Sequence, residues 1–159
     1  MDYLWTPWRY QYITASGDPG ECVFCVAGRA GDDRAHLVVH RGAYNFVILN
    51  RFPYTSGHVM VVPYAHVADL EELPDEALAE LTRLSRDAAG NLRKVYRAEG
   101  LNLGMNLGKC AGAGIAGHLH MHILPRWTGD TNFMTVVSET RVLPEDLETT
   151  WERLKAAWE

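Results

Sequence analysis

The sequence predicts an α+β fold built on an antiparallel sheet. Three observations carry the prediction. Runs of β-branched and aromatic residues succeed one another between positions 36 and 63, joined by short turn-rich links. A long stretch after Pro74 carries apolar residues at helical spacing. Strand-like runs then return in hairpin-like succession instead of alternating with helices, as a parallel sheet would demand. At 159 residues the chain reads as one domain, 1–159.

Each element has its own signal. Positions 1–20 hold Tyr3, Trp5, Trp8, Tyr10 and Tyr12, then a Gly/Pro cluster, and read as an irregular aromatic arm that must pack on a body or a partner. Positions 27–33 read as a loop. Strands are expected at 36–41, 44–50 and 57–63, each bounded by turn residues. Pro74 followed by Asp75 and Glu76 opens a helix expected over 75–97. Leu78, Leu81, Leu84, Ala88, Leu92 and Val95 supply its apolar stripe, and Gly100 is expected to end it. Short strands are expected at 101–106 and 118–125, flanking a glycine-rich loop at 108–117, with a further candidate at 133–137. Pro144, Glu145 and Asp146 open a C-terminal helix with Leu147, Trp151, Leu154 and Trp158 on one side.

Composition excludes several classes. The chain is 47% hydrophobic and 22% charged, ordinary for a globular protein and wrong for a disordered one. No apolar run is long enough to span a membrane, and the first residues lack the basic and apolar regions of a secretory signal. A net charge of −5 without a basic block argues against gripping long nucleic acid. Three cysteines are too few for a disulfide scaffold and suit a reducing, cytoplasmic setting.

The most informative stretch is His118-Leu119-His120-Met121-His122-Ile123-Leu124-Pro125. In an extended chain alternate side chains face opposite ways, so the three histidines project together and Leu119, Met121 and Ile123 enter a core. A neutral imidazole is a nucleophile and a ligand; its protonated form is a donor and a charge. The preceding loop holds Gly108, Gly112, Gly114 and Gly117, which let backbone N–H groups approach an anion closely. A glycine loop beside a histidine row is a place to attack a phosphate.

The His-x-His-x-His run resembles the signature of the histidine triad (HIT) family of nucleotidyl hydrolases and transferases. Asn50, Pro53 and Ser56-Gly57-His58-Val59-Met60-Val61-Val62-Pro63 resemble that family's second block, in the same order and separated by the long helix. The resemblance covers roughly 22–127, leaving 1–20 as an arm and 128–159 as an extension. The run from Pro125 to Phe133, with Asn106 and the loop after it, is similar to a bacterial group that includes diadenosine tetraphosphate phosphorylases. The resemblance implies a HIT-like fold and an enzyme that cleaves nucleotide phosphoanhydrides by hydrolysis or phosphorolysis. It implies that His120 is the nucleophile and that His122 contacts the phosphate and assists the leaving group. It implies phosphate contacts from Asn106 and the backbone at Gly112 and Gly114, a ribose contact from Asn50, and a base pocket at Phe24 and Ile48. Ile115 departs from the family, which in well-studied branches places a Ser or Thr there; phosphate contacts must then come from backbone. A purine-nucleotide phosphoramidase, or a nucleotide-binding module with little turnover, is the competing reading.

Cys22-Val23-Phe24-Cys25 alone fits a redox pair, a zinc half-site or coincidence. The redox reading wants a helix starting at the motif, which the sequence does not suggest. The family resemblance implies structural zinc held by Cys22, Cys25, His66 and His118. It also implies a homodimer joined across the long helix and the adjacent strand. His58 is left open between a pocket residue and a structural one.

Overall fold

β-branched runs decide both where the chain becomes a strand and which way it faces. The computed structural model describes residues 21–130 and 145–159. In chain order these form α1 (Val23–Arg29), β1 (Val38–Arg41), β2 (Asn45–Leu49), β3 (Val59–Pro63), α2 (Asp75–Tyr96), β4 (Gly100–Gly104), β5 (Met121–Arg126) and α3 (Leu147–Trp158). The strands make one antiparallel sheet in the order β1-β2-β3-β5-β4. The expected α+β class, the five-strand sheet, the long helix and the C-terminal helix are all present. The strand expected at 133–137 and the arm at 1–20 lie outside the described residues. Among the described residues no helix is long and apolar enough to cross a membrane.

The sheet has two differently employed faces. Val47, Leu49, Val59, Val61, Leu119 and Ile123 point to the back, where Leu81, Leu84, Ala88 and Leu92 of α2 and Leu154 of α3 cover them. Val38, Phe46, Ile48, Met60 and Val62 point to the front, where the short α1 covers them through Phe24 and Ala27, with Tyr64 and Ile115 packed alongside. Both faces of β2 and β3 are buried, which explains their continuous apolar runs.

Four boundaries differ from the expectation, each for a local reason. A helix does begin at the Cys-x-x-Cys pair, and it absorbs part of the expected 27–33 loop. Its drive is tertiary: Phe24 and Ala27, three apart, bury one face on the sheet. β1 starts only at Val38, because Leu37 adopts a left-handed φ of 60°. α2 ends at Tyr96 with Arg97, not a glycine, in the left-handed region at φ 51°; Gly100 instead opens β4 opposite Arg126. The Tyr96 carbonyl is satisfied by the Trp127 indole N–H at 3.1 Å. β5 begins at Met121, so His118 and His120 precede the ladder: Leu119 N–H turns to Val67 O at 2.7 Å, and the His118 ring occupies the Pro63 carbonyl.

The turn between β1 and β2 is anchored by Glu80 of α2. Its carboxylate accepts from the N–H groups of Ala43, Tyr44 and Asn45 at 2.9, 2.6 and 2.8 Å, and from the Asn45 amide at 3.1 Å. Burial acts to raise the Glu80 pKa, but these donors outweigh it and hold the group below its ordinary value. Glu80→Ala leaves three backbone donors without their acceptor and is expected to destabilise the chain by roughly 3 kcal/mol in chemical denaturation; a loss within error of zero would show that water replaces the carboxylate.

Candidate functional site

Strand register gathers the chemistry on the front face. Ile48, Met60, His122 and Gly104 are successive cross-strand partners, so His122 lies between Met60 and Gly104. Among the described residues a side chain at Gly104 would meet no atom within 4 Å, so they leave the surface beside His122 open. His120 stands next to it, the two rings 4.8 Å apart and nearly perpendicular. The alternation expected from the sequence holds: Leu119 and Ile123 are core, and Met121 packs against it from the same side.

Tautomers follow from the partners. His120 Nδ1 lies 2.8 Å from the carbonyl of His118, which can only accept. Nδ1 therefore carries the proton and Nε2 keeps its lone pair. His58, left open by the sequence, is buried and belongs to the site. Its Nδ1 accepts the Tyr54 backbone N–H at 3.2 Å, so its Nε2–H donates to His122 Nδ1 at 2.9 Å. His122 must then carry its own proton on Nε2. The Tyr54 ring packs on His58 at 4.8 Å. Sequence reasoning did not single out Tyr54; His58 was signalled by its place after Gly57 in the second block.

Burial keeps these rings neutral. The His58 pKa is pushed down to about 3, by burial first and then by His122 and His120. That of His122 falls to about 4, by burial and then by His120. His120 is also lowered by burial, against the opposing effect of the His118 carbonyl.

The other expected residues are placed as follows. Asn50 is half-buried; its Oδ1 accepts the Phe52 N–H at 2.9 Å and its amide lies 3.4 Å from His58 Nδ1. Phe24 and Ile48 are both buried in the front layer, and the Phe24 ring sits 5.1 Å from that of His120. Asn106 is half-buried at the start of the glycine loop. Gly112 takes a left-handed φ of 89°, closing a short turn in which its N–H meets Lys109 O at 3.0 Å, while Gly114 is exposed. Ile115 turns inward onto the front cluster, so the loop offers no hydroxyl at that position.

Cys22, Cys25, His66 and His118 converge, their donor atoms all within 4.8 Å of one another. His118 Nε2–H donates to Pro63 O at 2.9 Å, which leaves Nδ1 free as a ligand. That Nδ1 lies 3.3 Å from Cys22 Sγ, 3.6 Å from Cys25 Sγ and 3.2 Å from His66 Nδ1. Tetrahedral zinc with ordinary bond lengths places such donors about 3.3–3.8 Å apart, so the set fits a Cys₂His₂ ion. A separate hollow of ≈ 290 Å³ lies toward α3, lined by Arg34, Leu37, Arg51 and Trp151, and contains none of the triad.

Residues 33–129, which hold the histidine row and the glycine loop, match the HIT domain. The chain belongs to the HIT family. It is 39% identical to a Mycobacterium tuberculosis protein named AP-4-A phosphorylase, over 99% of this chain and 85% of that one. It also superposes on a Zn-bound histidine triad family protein from Mycobacterium smegmatis with a TM-score of 0.68 at 32% identity, covering 86% and 92% of the two chains. A hypothetical histidine triad nucleotide-binding protein from Sulfolobus tokodaii gives 0.68 at 26% identity, covering 86% and 91%.

The buried neutral histidines set a pH dependence. Unfolded, each histidine titrates near 6.5; folded, His58 and His122 titrate near 3 and 4. Between those values the unfolded chain binds more protons, so their contribution to stability is full above pH 6.5 and is lost as the pH falls toward the folded values. The unfolding free energy from urea titration is expected to fall from pH 7 to pH 5, by up to about 1.4 kcal/mol per pH unit for each histidine. His58→Gln should flatten that slope; an unchanged slope would remove His58 from the account.

Proposed function

We propose that this chain cleaves diadenosine polyphosphate-like nucleotides through a nucleotidyl-histidine intermediate on His120. The observation that carries the reading is the bond from His120 Nδ1–H to the His118 carbonyl, which leaves Nε2 as a neutral, oriented lone pair. Nε2 attacks an α-phosphorus, and the bond from that phosphorus to the bridging oxygen breaks. The His122 Nε2–H, its tautomer set by His58, donates to the departing phosphate oxygen. A second nucleophile then takes the nucleotidyl group from His120. The name of the 39%-identical relative favours orthophosphate as that acceptor and diadenosine tetraphosphate as the substrate.

Asn106, Gly112 and Gly114 are assigned to the phosphate chain, with the amide of Gly114 the more available because that of Gly112 bonds within its turn. Asn50 is assigned to ribose hydroxyls, and Phe24 and Ile48 to the base side. Zinc at Cys22, Cys25, His66 and His118 would supply a structural clamp that fixes the position of His118, and through its carbonyl the nucleophile. The zinc-bound relative at 32% identity supports that metal. A homodimer through the edge strand β4 and α2 is supported by Leu103, 49% exposed on that edge. Reduced thiols are consistent with a cytoplasmic setting.

Incubating the protein with diadenosine tetraphosphate and orthophosphate is expected to give ATP and ADP; AMP and ATP would mean that water is the acceptor. His120→Ala should lower turnover by about 10⁴-fold or more while nucleotide binding persists. Retained turnover in that variant would refute the intermediate. A mass near twice 17.8 kDa is expected from light scattering, and a monomer would end the dimer reading.

A further inference from the structure

The helix that carries both cysteines is short. α1 has seven residues, too few to hold together by its own hydrogen bonds. Its N-terminal end bears Cys22 and Cys25. Its C-terminal carbonyls are left without helical partners, as at every helix end. Here they are met by one side chain from β1. Arg41 donates Nη1–H to Gly28 O at 2.7 Å and Nη2–H to Ala27 O and Ala30 O, each at 2.9 Å. Its Nε–H donates to Asp33 Oδ1 at 2.8 Å, and the other oxygen of Asp33 meets Lys155 of α3 at 3.3 Å. Three donors of one guanidinium thus hold the exit of α1, a fourth binds Asp33, and Lys155 of α3 steadies that acidic partner.

The seating is close. A Cβ added at Gly28 would come within 3.2 Å of Tyr64 and 3.3 Å of Phe46, so α1 lies directly on β2 and on the residue after β3. His66 stands two residues beyond Tyr64, and its Nδ1 meets Cys25 Sγ at 3.2 Å. The Arg41 anchor and the close Gly28 contact fix where α1 starts, and so where the two sulfurs stand relative to His66 and His118.

We propose that Arg41 is a positioning residue for the Cys₂His₂ centre: it preorganises the two sulfurs by pinning the far end of their helix, without touching the metal. This rests on the metal reading above. In its absence the ion must order α1 on binding, and part of its affinity is lost.

The test uses the full chain, as wild type, Arg41→Ala and Arg41→Lys, with Cys25→Ser as a ligand-loss control. Zinc release to a chromogenic chelator should be about tenfold or more faster in Arg41→Ala, with Arg41→Lys between it and wild type. The cobalt-substituted protein should show weaker tetrahedral absorption per added ion in Arg41→Ala. The gap in Tm between zinc-loaded and zinc-stripped protein should narrow, because binding that favours the folded state supplies that gap. A purely structural role would lower both Tm values equally and leave release and spectrum unchanged, and that result overturns the proposal. Should Arg41→Ala not fold, Arg41→Lys with wild-type release and an unaltered Tm gap overturns it as well. A wild type that takes up neither zinc nor cobalt overturns the metal reading itself, which separates that failure from the failure of the Arg41 role.

Discussion

The structure turns on His118 and its three outward commitments. Its Nε2–H holds the last carbonyl of β3, its Nδ1 faces the two cysteines and His66, and its own carbonyl holds Nδ1 of His120. One residue, 1% exposed, therefore joins the sheet, the donor cluster and the oriented imidazole. Its position explains why β5 starts three residues late. The carbonyl at the end of β3 is already engaged by a side chain, and Leu119 has turned its N–H to Val67.

The two faces of the sheet divide the work. The back is a conventional core in which α2 and α3 bury a stripe of leucines and alanines. Its stability comes from apolar area and from the Glu80 carboxylate that closes the β1–β2 turn. Among the described residues the front is covered more thinly, by the one-helix layer of α1 with Tyr64 and Ile115, and that is where the histidines and the donor cluster sit. A thin cover leaves room for a ligand beside His122, and it leaves α1 dependent on specific bonds for its place. Phe24 shows the connection: it lies between the two cysteines in sequence and against the His118 and His120 rings in space.

Electrostatics follows from that placement. The chain is acidic overall, so an anionic ligand cannot be gathered by a basic surface. Its buried histidines are neutral and offer one lone pair and one N–H in fixed directions. Such dipoles are already oriented before the ligand arrives, so no reorganisation is needed as charge develops.

Much of this was legible in the residues. Period two in His118–His122, the β-branched runs and the single long amphipathic stretch determined the fold class and which face carries the histidines, because side-chain alternation is a local property of the backbone. The glycine loop and the Cys-x-x-Cys pair were visible as motifs. The helix at that pair was not, since seven residues of modest propensity become helical only when Phe24 and Ala27 are buried and Arg41 meets the carbonyls of Ala27, Gly28 and Ala30. Nor was the bond between His58 and His122, which stand 64 residues apart. Local pattern determines which way a side chain points. The long-range packing of strands decides what it meets, and so which nitrogen of His122 keeps its proton.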